Sequence, residues 1–156
     1  MFKSNFNLPH KIKIRKERSF GGEFFSAQIR ITSKEMVSDL IKHGCFPNKT
    51  FTLRFPNINQ KLIHHFMRGY FDGDGSIYNG QQKNWYILGN YDFLKEYQKI
   101  LINNANLNNV KIHKKGNIHT LSYCGNLNVN KIRDFLYENS TISIERKKDK
   151  FYTTSF

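Results

Sequence analysis

The sequence is short of acid. Only 12 of its 156 residues are Asp or Glu, against 25 Lys or Arg, which leaves a formal charge of +13 at pH 7. A charge of that size on so short a chain points to a polyanionic partner, nucleic acid first. Cysteine is scarce as well. Cys45 and Cys124 stand far apart and form neither a zinc knuckle nor a disulfide framework. No run of about 18 apolar residues exists, which excludes a membrane-spanning helix. The opening residues, Met1-Phe2-Lys3-Ser4-Asn5, lack an apolar signal segment, so an intracellular location is expected: cytoplasm or nucleoid, an organelle, or a phage-infected host. Against these shortages, 38% of residues are hydrophobic and 15% aromatic. That covers one core and excludes a disordered basic tail.

The positive charge is unevenly placed. Residues 1–60 hold 11 basic and 4 acidic side chains, residues 61–108 hold 5 and 4, and residues 109–156 hold 9 and 4. Two basic wings therefore flank a nearly neutral middle.

In the first wing, Lys11-Ile12-Lys13-Ile14-Arg15-Lys16 alternates strictly, placing Ile12 and Ile14 on one face of a strand and Lys11, Lys13 and Arg15 on the other. A Gly21-Gly22 turn leads to a second strand ending Gln28-Ile29-Arg30-Ile31. Thr32 and Glu35 read as a capping box. The following helix is expected to bury Met36, Val37, Leu40 and Ile41 and to stop at Gly44. Phe51 to Pro56 reads as a short strand. The second wing repeats this order: an alternating Val110 to Lys115, a Gly116-Asn117 turn, a strand from Ile118 to Cys124, and a helix carrying Val129, Ile132, Phe135 and Leu136. Thr141 to Lys147 then takes the place of the Phe51 strand. Such a repeat predicts two pseudo-symmetric halves.

The middle opens with a predicted helix over 57–74, its start capped by Asn57 and Gln60. Two strands at 76–79 and 84–89 follow, then a helix from near Asn90 carrying Phe93, Leu94, Tyr97, Ile100 and Leu101 at helical spacing. On the 57–74 helix, Leu62, Phe66, Gly69 and Gly73 share one stripe. Each internal glycine costs about 1 kcal/mol relative to alanine. Close approach of another helix offsets that, so this stripe is the expected helix-packing interface. The helix ends Asp72-Gly73-Asp74-Gly75. Carboxylates are unfavourable at the negative end of a helix dipole, so these two call for a compensating cation. Oxygen ligands on a tight turn suit Mg²⁺ or another hard divalent ion, and in a basic protein that combination suits phosphodiester hydrolysis. A calcium-binding EF-hand loop fails, because its first and twelfth ligands would fall on Tyr70 and Gln81.

Met67-Arg68-Gly69-Tyr70-Phe71-Asp72-Gly73-Asp74-Gly75 resembles the motif of the LAGLIDADG homing endonucleases, with both glycines and both acids in place. Phe55-Pro56, Ile63-His64-His65-Phe66 and the tail from Ile144 to Phe151 also resemble two-repeat members of bacteria and phages. The resemblance implies an α+β fold: a complete αββαββα unit over 57–156 with a saddle-shaped antiparallel sheet, preceded over 1–56 by a partial ββα repeat and a linker strand. It implies a metal-dependent, site-specific endonuclease of double-stranded DNA, associated with intron or intein mobility. Asp74 is then the metal-binding catalytic acid, Gly73 offers its carbonyl as a second metal ligand, and Asp72 is structural.

Nothing in residues 1–54 resembles a first motif, so the second motif helix is expected from a homodimer partner or a separate chain. By alternation on the saddle, Lys11, Lys13, Arg15, Gln28 and Arg30 face DNA from the first wing. Ser76, Tyr78, Lys111, His113, Lys115, Thr120 and Ser122 do so from the second. Arg146 and Lys147, in a basic tail read as strand-like, are placed beside DNA. His64 and His65 read as surface or capping residues, since neighbours on a helix face apart. A non-catalytic DNA- or RNA-binding remnant, a maturase or a regulator of the same fold is the alternative function.

Overall fold

The computed structural model describes residues 12–19, 22–47 and 52–153, and the chain divides into two compact units, Met1–Asp39 and Leu40–Phe156. Among the described residues, no helix is long and apolar enough to cross a membrane.

The first unit holds an antiparallel hairpin of β1 (Lys13–Ser19) and β2 (Gly22–Gln28). Its register pairs Ile14 with Ala27 and Lys16 with Phe25 on one face, and Lys13 with Gln28 and Arg15 with Ser26 on the other. Glu23 receives both Lys16 and Arg18 at the end of the hairpin where Ser19 pairs with Gly22, and their hydrogen bonds hold its carboxyl below the usual carboxylate value. Helix α1 (Lys34–Lys42) follows. Ser33, one residue beyond the expected Thr32, caps it: the hydroxyl accepts from the Met36 amide at 3.1 Å and donates to Glu35 at 2.8 Å. The helix closes as expected at Gly44, whose φ of +82° suits glycine, with the Cys45 amide donating to the Leu40 carbonyl. The expected burial of its apolar stripe is not found. Met36, Val37, Leu40 and Ile41 remain 39–54% exposed.

The second unit begins with an irregular segment, 53–59. The strand expected over 51–56 does not form among the described residues, and Phe51 lies outside them. Phe55 acts through its ring instead, lying 5.1 Å from Phe66 and 5.6 Å from Phe93. Asn59, not Asn57 or Gln60, caps the short 3-10 turn Gln60–Leu62 by accepting from the Lys61 amide. The remaining elements are α2 (Ile63–Asp74), β3 (Ser76–Asn79), β4 (Lys83–Gly89), α3 (Tyr91–Ala105), β5 (His113–Lys115), β6 (Ile118–Cys124), α4 (Asn126–Tyr137) and α5 (Glu145–Lys148). From α2 to α4 this is the expected αββαββα order, and the class is α+β. The sheet is antiparallel in the order β3-β4-β6-β5. β5 is shorter than its sequence alternation implied and pairs over three residues only.

Period-2 alternation builds the core. Ile77, Trp85, Ile87, Leu121 and Tyr123 point from the sheet to Met67, Phe71, Tyr97 and Ile132 of the helices, and all are nearly or fully buried. Each such side chain contributes roughly 1.5–3 kcal/mol by leaving water. The tail differs from its expected strand. Lys147 and Phe151 stand four residues apart and are both buried, a helical period, and α5 with the 3-10 turn Asp149–Phe151 realises it. Phe151 packs 5.5 Å from both Phe71 and Tyr137.

Candidate active site and nucleic-acid interface

The end of α2 is held by one side chain. The buried Lys147 ammonium donates to the carbonyls of Phe71 at 3.0 Å, Gly73 at 3.3 Å and Gly75 at 2.6 Å. It adds a donor to carbonyls at the helix end, where intrahelical partners run out, and it supplies positive charge to the negative end of the dipole. Burial pulls its pKa below the usual lysine value, while Asp72 and Asp74 oppose that pull. Gly75 is sterically required. A β-carbon there would stand 2.1 Å from the Phe71 ring, whose carbonyl also accepts the Gly75 amide at 2.8 Å.

Asp72 turns inward from this helix end. Its carboxylate accepts from the Tyr137 hydroxyl at 2.6 Å and the Ile144 amide at 3.0 Å, and the residue is 7% exposed. Burial and the bond to Asp72 both drive the Tyr137 hydroxyl pKa upward. One turn earlier, the Arg68 guanidinium donates to the Ile142 carbonyl at 3.0 Å, the Leu136 carbonyl at 3.1 Å and His65 Nδ1 at 2.8 Å. Accepting at Nδ1 requires the unprotonated nitrogen, in keeping with a His65 pKa lowered by burial, His64 and Arg68. Arg68, Asp72 and Lys147 thus tie one side of α2 to the segment 136–147. These ties explain the structural role expected of Asp72.

Asp74 lies on the other side of that turn. It is exposed, and among the described residues no hydrogen bond or ion pair engages its carboxylate. Tyr70 stands one turn back, its hydroxyl donating to the Leu88 carbonyl at 2.7 Å, with a pKa pushed up to about 12 by burial and by Asp74. Gly69 and Gly73 are also exposed, and a β-carbon on either would meet nothing within 4 Å. Leu62 on the same stripe is 54% exposed, whereas Phe66 is partly buried against Phe55. Nothing described in this chain uses the room that the two glycines leave.

The oxygen chemistry of the turn fits a hard divalent ion in kind and falls short in number. Asp74 offers one free carboxylate, the Gly73 carbonyl is already shared with Lys147, and no group of three His, Cys, Asp or Glu side chains occurs among the described residues. The His64 and His65 rings do not face apart as expected but lie tilted, 3.9 Å between centroids, and His65 is engaged by Arg68 rather than by this turn.

The sheet presents the expected polar face. Ser76, Tyr86 and Ser122 form one cross-strand row, Tyr78, Asn84 and Cys124 a second, and His113, Thr120 and Leu88 a third, with Lys115 two positions along from His113. Tyr78, His113 and Lys115 are exposed and Ser76 half-buried. Asn84 and Tyr86 were missed by the sequence reading, although β4's alternation about the buried Trp85 and Ile87 puts both on this face. In the first unit, Lys13, Arg15 and Gln28 are exposed on the same face of the hairpin, and Arg30 is exposed in the coil beyond β2. Lys111 is exposed before β5, and Arg146 is exposed on α5. Lys11 lies outside the described residues. Lys147 departs from expectation: its ammonium is directed into the protein and bonded to three carbonyls, so its position suits the helix end rather than a DNA surface.

The domain is thus an α+β unit in which an antiparallel sheet with a polar outer face stands beside a helix that ends in an exposed acid and an open glycine stripe. Residues 61–137 match the family model of the LAGLIDADG-like domain, which supports the resemblance of this segment to the LAGLIDADG homing endonuclease family. No curated protein and no solved structure matches the chain.

Proposed function

We propose that the chain is a DNA-binding LAGLIDADG-type endonuclease, or half of one, hydrolysing phosphodiester bonds of double-stranded DNA with Mg²⁺ or another divalent cation. The observation that carries this reading is the free carboxylate of Asp74 beside the open Gly69–Gly73 stripe. A second motif helix, from another copy of the chain or a separate chain, would pack its backbone along that stripe and bring a second carboxylate towards Asp74. This would complete the oxygen set that one chain leaves short. In our reading, residues 57–156 are one full repeat and 1–56 a partial one.

Within that arrangement Asp74 holds the cation through its carboxylate, with the Gly73 carbonyl as the secondary donor. A bound divalent ion supplies charge for the phosphate oxygens and an activated water. Ser76, Tyr78, Asn84, Tyr86, His113, Lys115, Thr120 and Ser122 meet one stretch of duplex, and Lys13, Arg15, Gln28 and Arg30 another. Lys and Arg mainly contribute phosphate contacts, whereas the hydroxyl and amide side chains read base edges. The shortage of donors in one chain equally fits a non-catalytic binding module of the same fold, and the same assay separates the two.

That assay is nicking of duplex DNA, in Mg²⁺ and in EDTA, by the chain alone and together with a chain supplying a second motif helix. Endonuclease function predicts cleavage in Mg²⁺ only, and only in assemblies that hold two motif helices. Tight binding without cleavage in every assembly identifies the binding module. DNA affinity should also fall steeply with salt as phosphate contacts release counterions; a flat salt response would remove the sheet from the interface.

A further inference from the structure

The cation expected at the end of the motif helix is, in part, already built into the chain. We propose that Lys147 is a positioning residue of the nuclease site, its ammonium binding the Phe71, Gly73 and Gly75 carbonyls together so that the turn carrying Asp74 has one fixed geometry. This rests on the reading of Asp74 as the metal-binding acid and adds a role for the C-terminal tail.

Three observations carry it. The three accepting carbonyls bracket Asp74 in sequence, so the backbone on both sides of the acid is anchored to one atom while the acid itself stays free. Lys147 also passes over the Phe71 ring, its Nζ 5.6 Å from the centroid, and Phe71 is the side chain that occupies the space a β-carbon on Gly75 would need. Ring, glycine and ammonium thus constrain one another. Finally, the lysine's own segment is fastened independently at both ends. The Ile144 amide donates to Asp72 at 3.0 Å, and the buried Lys83 ammonium donates to the Phe151 carbonyl. A side chain delivered by a segment pinned on either side is held against the helix end without depending on its own bonds. The tail is therefore a strap that sets the Asp74 turn, and its basic character is used inside the protein at Lys147 while Arg146 remains exposed.

The test compares Lys147→Met, which keeps the length of the stem and removes the donors, with Lys147→Arg, which restores donors. The full chain is used with its second motif helix and duplex DNA. Hydrogen exchange of the 71–76 backbone should rise about tenfold in Lys147→Met, since the bonds restraining that turn are gone. The single-turnover nicking rate at saturating Mg²⁺ should fall on the order of a hundredfold through misplacement of Asp74. DNA affinity should be unchanged, and Lys147→Arg should recover most of both losses. In the wild type, an Nζ-selective spectrum should show a slowly exchanging Lys147 ammonium coupled to backbone carbonyls, a signature that needs no variant to fold. Unchanged exchange at 71–76, or a freely exchanging ammonium, overturns the proposal. So does a loss of DNA affinity as large as the loss of rate, which would return Lys147 to the DNA surface. Failure of the Asp74 reading is recognised separately: Asp74→Asn would then cleave like the wild type, while the exchange and ammonium results would still report on the strap.

Discussion

Two sides of one helix turn carry opposite designs. On one side of α2, Arg68 and Asp72 are buried and bonded to the segment 136–144. On the other, Gly69, Gly73 and Asp74 are exposed: nothing lies within 4 Å of a β-carbon placed on either glycine, and among the described residues no bond engages the Asp74 carboxylate. Asp72 and Asp74 are two residues apart and chemically identical, so their environment alone separates a carboxylate that holds the fold from one that is free for chemistry. A polar group with all its bonds made inside the protein stabilises it, whereas a free carboxylate at a helix C-terminus is a net cost that points to a ligand.

The largest stability effect should come from Asp72. Asp72→Asn removes the charge and one of the two acceptor oxygens shared between the Ile144 amide and the Tyr137 hydroxyl, and should cost roughly 2–3 kcal/mol, read by urea unfolding. A neutral outcome would erase the contrast between the two sides. Gly75→Ala should follow, at about 1–3 kcal/mol, because the new methyl must displace the Phe71 ring; a melting temperature equal to wild type would show that the turn relaxes freely. Alkali should weaken the packed core. The Tyr70 pKa is pushed up to about 12 and those of Tyr97, Tyr123 and Tyr137 also upward, chiefly by burial. A tyrosine whose folded pKa is raised contributes stability below about pH 10, and that contribution is lost as pH climbs towards the folded value. Absorbance titration at 295 nm should show these rings ionising late and together with unfolding. The smallest effects belong to the open side. Gly69→Ala and Gly73→Ala should each stabilise the isolated chain by up to about 1 kcal/mol, since nothing blocks the methyl, yet weaken association with a second motif helix. Destabilisation of the isolated chain would mean that the stripe is already occupied.

The same contrast explains what could be read from the sequence. The αββαββα order was legible because its strands alternate and its helices carry apolar residues at helical spacing, and the acids and glycines of α2 stood out because a helix ordinarily disfavours both. Alternation misled at the ends of the chain. Lysines and isoleucines in 141–147 imitate a strand, but the buried pair Lys147 and Phe151 selects the helical period. The role of Lys147 was illegible for a related reason. Nothing in a basic run distinguishes the one ammonium that three backbone carbonyls will bind from its exposed neighbour Arg146. The apolar stripe of α1 was readable as a stripe, but burial depends on what covers it, which lies beyond local pattern.

The most direct test of the division between the two acids sets Asp74→Asn beside Asp72→Asn in one preparation, measuring melting temperature, DNA affinity and Mg²⁺-dependent nicking in the presence of a second motif helix. The account predicts that Asp74→Asn melts and binds DNA like the wild type and does not nick, while Asp72→Asn loses stability first. Wild-type nicking by Asp74→Asn, or a loss of stability matching that of Asp72→Asn, would contradict it.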